Sequence, residues 1–182
     1  ASKSRGLGDV YKRQISSKIT RIAHEIIEHH NDLSNLVLLG IHNRGVPIAG
    51  RLRKLIQDFT NIEIQLGSLD ITFHRDDFRD RLTIPEIKGT DIQFDLSDKV
   101  IILVDDVLYS GRTIRAALDE INSFGRPSII RLAVLVDRGH RELPIRADFV
   151  GKNIPTHPGE HIAVRLLESD GEDGVFLING DK

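Results

Sequence analysis

The chain has 182 residues, of which 40% are hydrophobic and 29% charged. That balance suits one folded domain with a single core rather than a disordered segment. The net charge of −2 and the absence of cysteine exclude a uniformly basic nucleic-acid binder, a disulfide scaffold, a thiolate nucleophile and Cys-ligated zinc.

No apolar run approaches the roughly 18 residues of a membrane span, and no secretory pattern is present. A cytoplasmic location without a membrane partner is therefore expected. Residues 1–14 are polar, punctuated by glycine and aperiodic, and the sequence contains no methionine. They are read as a non-native or disordered leader, with 15–182 as one domain.

In chain order, Ile15, Ile19, Ile22, Ala23, Ile26 and Ile27 form a helical stripe over 15–31. The run 36–41 reads as a buried strand. Helical spacing returns over 46–59 through Val46, Ala49, Leu52, Leu55 and Ile56, and alternation over 62–71 predicts a second strand. From 72 to 98 the pattern dissolves into charge, and a long connection inside a compact domain is usually functional or disordered. Further strands are expected at 100–104 and 129–136. A helix is expected over 112–124, closed by Gly125 with Pro127 beyond it. A final strand pair, 162–167 and 175–178, flanks a turn rich in Asp and Gly. Strands separated by helices imply an α/β fold with a mostly parallel sheet.

The sharpest signal is the segment from Val100 to Thr113, in which an apolar strand delivers Asp105 and Asp106, then the turn Ser110-Gly111-Arg112-Thr113, then a helix. Ligands in open α/β sheets bind at the carboxyl ends of strands. The turn can aim backbone amides and two hydroxyls at one point, and a helix N-terminus adds positive potential, so a phosphate is its natural occupant. Two carboxylates repel that phosphate but can accept hydrogen bonds from the vicinal hydroxyls of a ribose. An isolated Asp-Asp pair more often caps an element on a solvated edge, and it is the combination with the turn that carries the reading. The glycine-rich dinucleotide fingerprint and the Walker loop are both absent.

This segment resembles the 5-phosphoribosyl-1-pyrophosphate (PRPP) motif of type I phosphoribosyltransferases. Together with Gly40 to Pro47, Asp70 to Asp77 and Leu132 to Asp148, it is similar to the PyrR family of bifunctional pyrimidine operon regulators and uracil phosphoribosyltransferases. The resemblance covers nearly everything after Gln14. It implies the type I fold, a parallel sheet flanked by helices with a small hood and a lid over 73–95. It also implies that Asp105 and Asp106 hold the ribose hydroxyls, and that Tyr109, Ser110, Gly111, Arg112 and Thr113 hold the 5-phosphate. His42, Asn43, Arg44 and Gly45 correspond to a pyrophosphate loop, with Arg44 neutralising the leaving group and Arg75 reaching it from the lid. Magnesium is expected mainly on PRPP itself, with Asp137 as a weak second contact. Val136, Asp137 and Arg138 are the expected base contacts. Purine enzymes of the class place an acid where this chain has Tyr109.

The implied reaction converts uracil and PRPP to UMP and pyrophosphate. The implied second partner is a pyrimidine operon mRNA leader, met by Thr20, Arg21, His24, Asn43, His140, Arg141, Arg146 and Lys152. Ser17 and His29 stand where the family commonly has arginine, and Asn43 where it has threonine. Losing those charges lowers the salt-dependent part of RNA affinity, which His29 and His30 would partly restore below about pH 6.5. Two further readings stay open: an attenuator that uses the nucleotide site chiefly as a sensor, and transfer to a different base. A homodimer or larger homo-oligomer is expected.

Overall fold

The apolar runs at 36–41, 100–104 and 129–136 lack the alternation of a half-solvated strand, so they need cover on both faces. In the computed structural model, which describes residues 8–74 and 89–179, that cover is provided. A parallel sheet in the order β2-β1-β3-β4-β5 is built from β1 (Leu36–Ile41), β2 (Gln65–Leu69), β3 (Val100–Leu108), β4 (Ile129–Asp137) and β5 (Phe149–Asn153). Helices α1 (Gly8–His29) and α2 (Gly45–Thr60) cover one face, meeting Leu36, Leu38, Ile102 and Val104. Helix α3 (Arg112–Ile121) covers the other, against Val37, Leu39, Ile101 and Leu103. A separate antiparallel pair, β6 (Glu160–Arg165) and β7 (Gly174–Asn179), packs against α1, with the one-turn helix α4 (Leu167–Asp170) between them. No helix among the described residues is long and apolar enough to cross a membrane.

Several boundaries depart from expectation. Helix α1 starts at Gly8, seven residues before the stripe read from Ile15. Lys12, Arg13 and Gln14 are good helix formers that leave no hydrophobic period to read. Strand β3 continues four residues past Val104, through both aspartates, because Val107 and Leu108 still pair with Val136 and Asp137 of β4. Strand β5 was not foreseen: Phe-Val-Gly-Lys-Asn is too short and polar to signal itself, and pairing with β4 alone defines it. Helix α3 ends at Ile121, before Asn122 and Ser123. The end of the charged connection alternates, with Leu96 fully buried and Ile92 and Phe94 packed on the same core while Asp91, Gln93 and Asp95 stay exposed.

Candidate functional site

The connectivity locates the site. From β1 the chain moves outward through α2 to β2, and from β3 it moves the other way through α3 to β4, on the opposite face. The crevice between the carboxyl ends of β1 and β3 is thus the topological switch point, where ligands of open α/β sheets bind. It brings together the loop His42–Arg44 and the pair Asp105–Asp106, which are distant in sequence. Two glycines permit the close approach. A Cβ on Gly45 would overlap the Val104 carbonyl oxygen and come within 3.3 Å of the Asp105 Cα, and one on Gly40 would lie 2.6 Å from the Val46 Cα. Helix α2 therefore begins directly against β3, with its first amides, which have no intrahelical acceptor, at the mouth of the crevice.

Asp105 is 7% exposed and Asp106 is half-buried. Each carboxylate orders the backbone next to it: Asp105 Oδ1 accepts the Asp106 N–H at 2.9 Å and Asp106 Oδ1 accepts the Val107 N–H at 2.8 Å. Arg44, the residue before α2, donates Nε and Nη2 to the Asp170 carboxylate at 3.2 and 2.9 Å. Those bonds, and to a smaller extent the charge of Asp106, push its pKa up.

The loop after β3 turns on Gly111, which has a positive φ of 93° and packs against Ile145. Its neighbour on the β4 side is the chain that follows β4. Glu142 and Leu143 donate their N–H groups to the Ser110 carbonyl at 2.9 and 3.1 Å, and Arg112 pairs with Glu142 at 2.6 Å. Arg141 donates to the Tyr109 carbonyl at 2.7 Å, to the Ile145 carbonyl at 2.8 Å and to Asp137 at 2.5 Å. The expected phosphate loop Tyr109–Thr113 is therefore held as one unit with residues 137–145, an arrangement no local pattern announces.

Of the expected base contacts, Arg138 is 7% exposed, stacks 4.0 Å from the centre of the Tyr109 ring, and donates to Thr156 Oγ1 at 3.2 Å and the Glu160 carbonyl at 2.5 Å. These hydrogen-bond partners of the buried guanidinium are neutral. Asp137 has both oxygens engaged, Oδ1 by the Gly139 N–H and Oδ2 by Arg141, and so ties the start of the following loop together. Val136 lines a small apolar pocket together with Ile15, Lys18, Leu135, Lys152 and Ile154. Arg75 lies outside the described residues, as does, within the lid expected over 73–95, the whole stretch 75–88. The residues flanking that stretch are anchored on α3, with His74 paired to Glu120 at 2.7 Å and the His74 carbonyl accepting Arg115 at 2.8 Å.

The residues expected to meet RNA mostly have partners inside the chain. Arg21 donates to the carbonyls of Val150 and Gly151 on the edge strand β5, Thr20 bonds back to Ser16, and His24 stacks on Phe59 at 4.3 Å. His140 lies 2.5 Å from the Thr156 carbonyl. Arg146 is exposed and Lys152 half-buried. Burial pulls the His30 pKa below its ordinary value, which works against the gain of charge expected there. Sequence reasoning missed Asp170, Glu168 and Asp173. The available signal was the pair Arg44 and Arg51, seven residues apart and so on one helix face, opposite an acidic turn read only as a turn.

Comparison with known proteins places these features in context. Residues 8–169 match the phosphoribosyl transferase domain family. The chain is 56% identical over 166 residues to a bifunctional protein PyrR of Clostridioides difficile, covering 91% of this chain and 94% of that one. It is 53% identical over 167 residues to the Chloroflexus aurantiacus protein of that name, covering 92% of each. Among solved structures, a hypoxanthine phosphoribosyltransferase of Trypanosoma cruzi superposes with a TM-score of 0.67 at 16% identity, over 93% of this chain and 94% of that one, a likeness of fold.

Proposed function

This chain belongs to the phosphoribosyltransferase family, in its PyrR branch, and from that premise we propose that it is a uracil phosphoribosyltransferase whose reaction takes place at the switch-point crevice. The observation that carries this reading is the seating of the α2 N-terminus against Asp105 and Asp106. One crevice thereby offers carboxylate acceptors for ribose hydroxyls beside helix amides and Arg44 for a pyrophosphate. The amide-lined turn Tyr109–Thr113 would take the 5-phosphate. As the C1–oxygen bond to pyrophosphate breaks, a C1–N1 bond to uracil forms and the N1 proton is lost, giving UMP. Positioning and neutralisation of the leaving group supply most of the rate.

Magnesium fits the site as a cation carried by the oxygens of PRPP, with the carboxylates of Asp105 and Asp106 as the hard donors nearby. When bound, it offsets the charge that develops on pyrophosphate. At the base end, the stacked pair Tyr109 and Arg138 presents a flat wall and a buried donor for a pyrimidine carbonyl. Labelled uracil, hypoxanthine and xanthine, each supplied with PRPP and magnesium, separate the possible bases. Uracil alone is expected to be converted at a substantial rate, and faster conversion of a purine would overturn the assignment.

The shared name of the relatives, a bifunctional protein, supports a second role as a UMP-responsive binder of a pyrimidine operon mRNA leader. Arg146, exposed just before β5, is the side chain best placed for a phosphate contact. Arg146→Gln is expected to lower the salt slope of RNA binding by about 0.7. A parent protein with no UMP-dependent RNA affinity at low salt would remove this role and leave the enzyme standing.

A further inference from the structure

The loop between β6 and β7 docks onto α2 through two arginines, and one of them is Arg44. Arg51 donates to Glu168 at 2.6 and 2.7 Å and to Asp173 at 2.7 and 2.9 Å. Two turns nearer the crevice, Arg44 meets Asp170 in a fork, Nη2 to Oδ1 at 2.9 Å and Nε to Oδ2 at 3.2 Å. Asp170 is itself held, since Oδ2 also accepts the Leu166 N–H at 2.9 Å, and the turn is closed by the Leu167 N–H on Asp173 at 2.8 Å. The carboxylate is thus a fixed anchor on a braced turn rather than a side chain on a loose tail. A two-bond fork sets both the direction and the roll of a guanidinium.

We propose that Asp170 is a positioning residue for the phosphoribosyl transfer: it holds the Arg44 guanidinium at the crevice so that the edge outside the fork meets the pyrophosphate group of PRPP. This rests on the reading of Arg44 as a pyrophosphate contact. Charge and geometry make opposite demands here. Removing a negative charge beside Arg44 strengthens the local field for a polyanion, whereas releasing the fork lets the guanidinium rotate away. If geometry dominates, Asp170→Asn weakens PRPP binding even though the site becomes more positive.

The test is steady-state kinetics on the full chain carrying Asp170→Asn, Arg44→Ala, both together, or Glu168→Gln, with thermal melts of each. Asp170→Asn is expected to raise KM for PRPP roughly tenfold and to weaken product inhibition by pyrophosphate similarly, leaving KM for uracil and Tm in place. The double variant should match Arg44→Ala alone, because Asp170 acts only through Arg44. Glu168→Gln, which alters the Arg51 contact and leaves the Arg44–Asp170 fork and the Leu166 N–H bond in place, should leave KM for PRPP unchanged. An unchanged or lowered KM in Asp170→Asn, or an equal rise in Glu168→Gln, overturns the positioning role. If Arg44→Ala itself leaves KM for PRPP unchanged, the earlier reading of Arg44 fails, and the proposal with it.

Discussion

Replacing Asp105 and Asp106 together by asparagine is expected to remove UMP synthesis while leaving the protein folded. A hydrogen bond to a charged acceptor contributes about 1.5–3 kcal/mol. Losing two of them from the ribose lowers kcat/KM by roughly a hundred- to ten-thousandfold. Asparagine is the informative change because it keeps the local structure. The Asp106 and Val107 amides each lean on a side-chain oxygen of the preceding residue, and the asparagine carbonyl can take over that contact. Kinetics and a thermal melt on the same preparation decide the matter: native turnover in the double variant refutes the ribose assignment, whereas lost turnover with a native Tm supports it.

The second large effect comes from a single methyl group. Gly45→Ala places a Cβ on the Val104 carbonyl and 3.3 Å from the Asp105 Cα, backbone atoms of the central strand that cannot rotate away. Either α2 lifts from the sheet or β3 bends, and both move the acid pair relative to the helix amides. Overpacking of this kind costs about 1–3 kcal/mol. A displacement near 1 Å at the reacting groups lowers kcat/KM by about a hundredfold. Gly50→Ala, five residues on in the same helix with nothing near the added Cβ, is the control. It is expected to retain activity and to gain about 0.5–1 kcal/mol. Equal behaviour of the two variants would show that the close approach at Gly45 has no functional consequence.

Both predictions depend on features of very different visibility in the amino-acid order. The alternation of apolar side chains along β1 and β3 divides cleanly between the two faces of the sheet. The Asp-Asp pair and glycine turn lie within one short stretch, so that strand–turn–helix unit was readable directly. The α2 boundaries were off by one residue at each end, because a helix with one apolar stripe carries its own period. By contrast, β5 is a strand only because β4 offers it a partner. Leu96 was read within a charged loop although its side chain is fully buried, since a few apolar residues among charges carry too little period to stand out.

What the order of residues determined by itself was the α/β architecture, the acid pair and the glycine turn after it, all products of short-range periodicity and turn chemistry. Tertiary structure alone decided which groups surround them. It placed Gly45 on Val104, Arg138 over Tyr109, Arg141 on the Tyr109 carbonyl, and Asp170 on Arg44 from 126 residues away. The physical reason is that these contacts form between elements whose separation along the chain has no fixed relation to their separation in space. A hydrogen-bond fork or a close backbone approach is specified by packing and leaves no periodic trace.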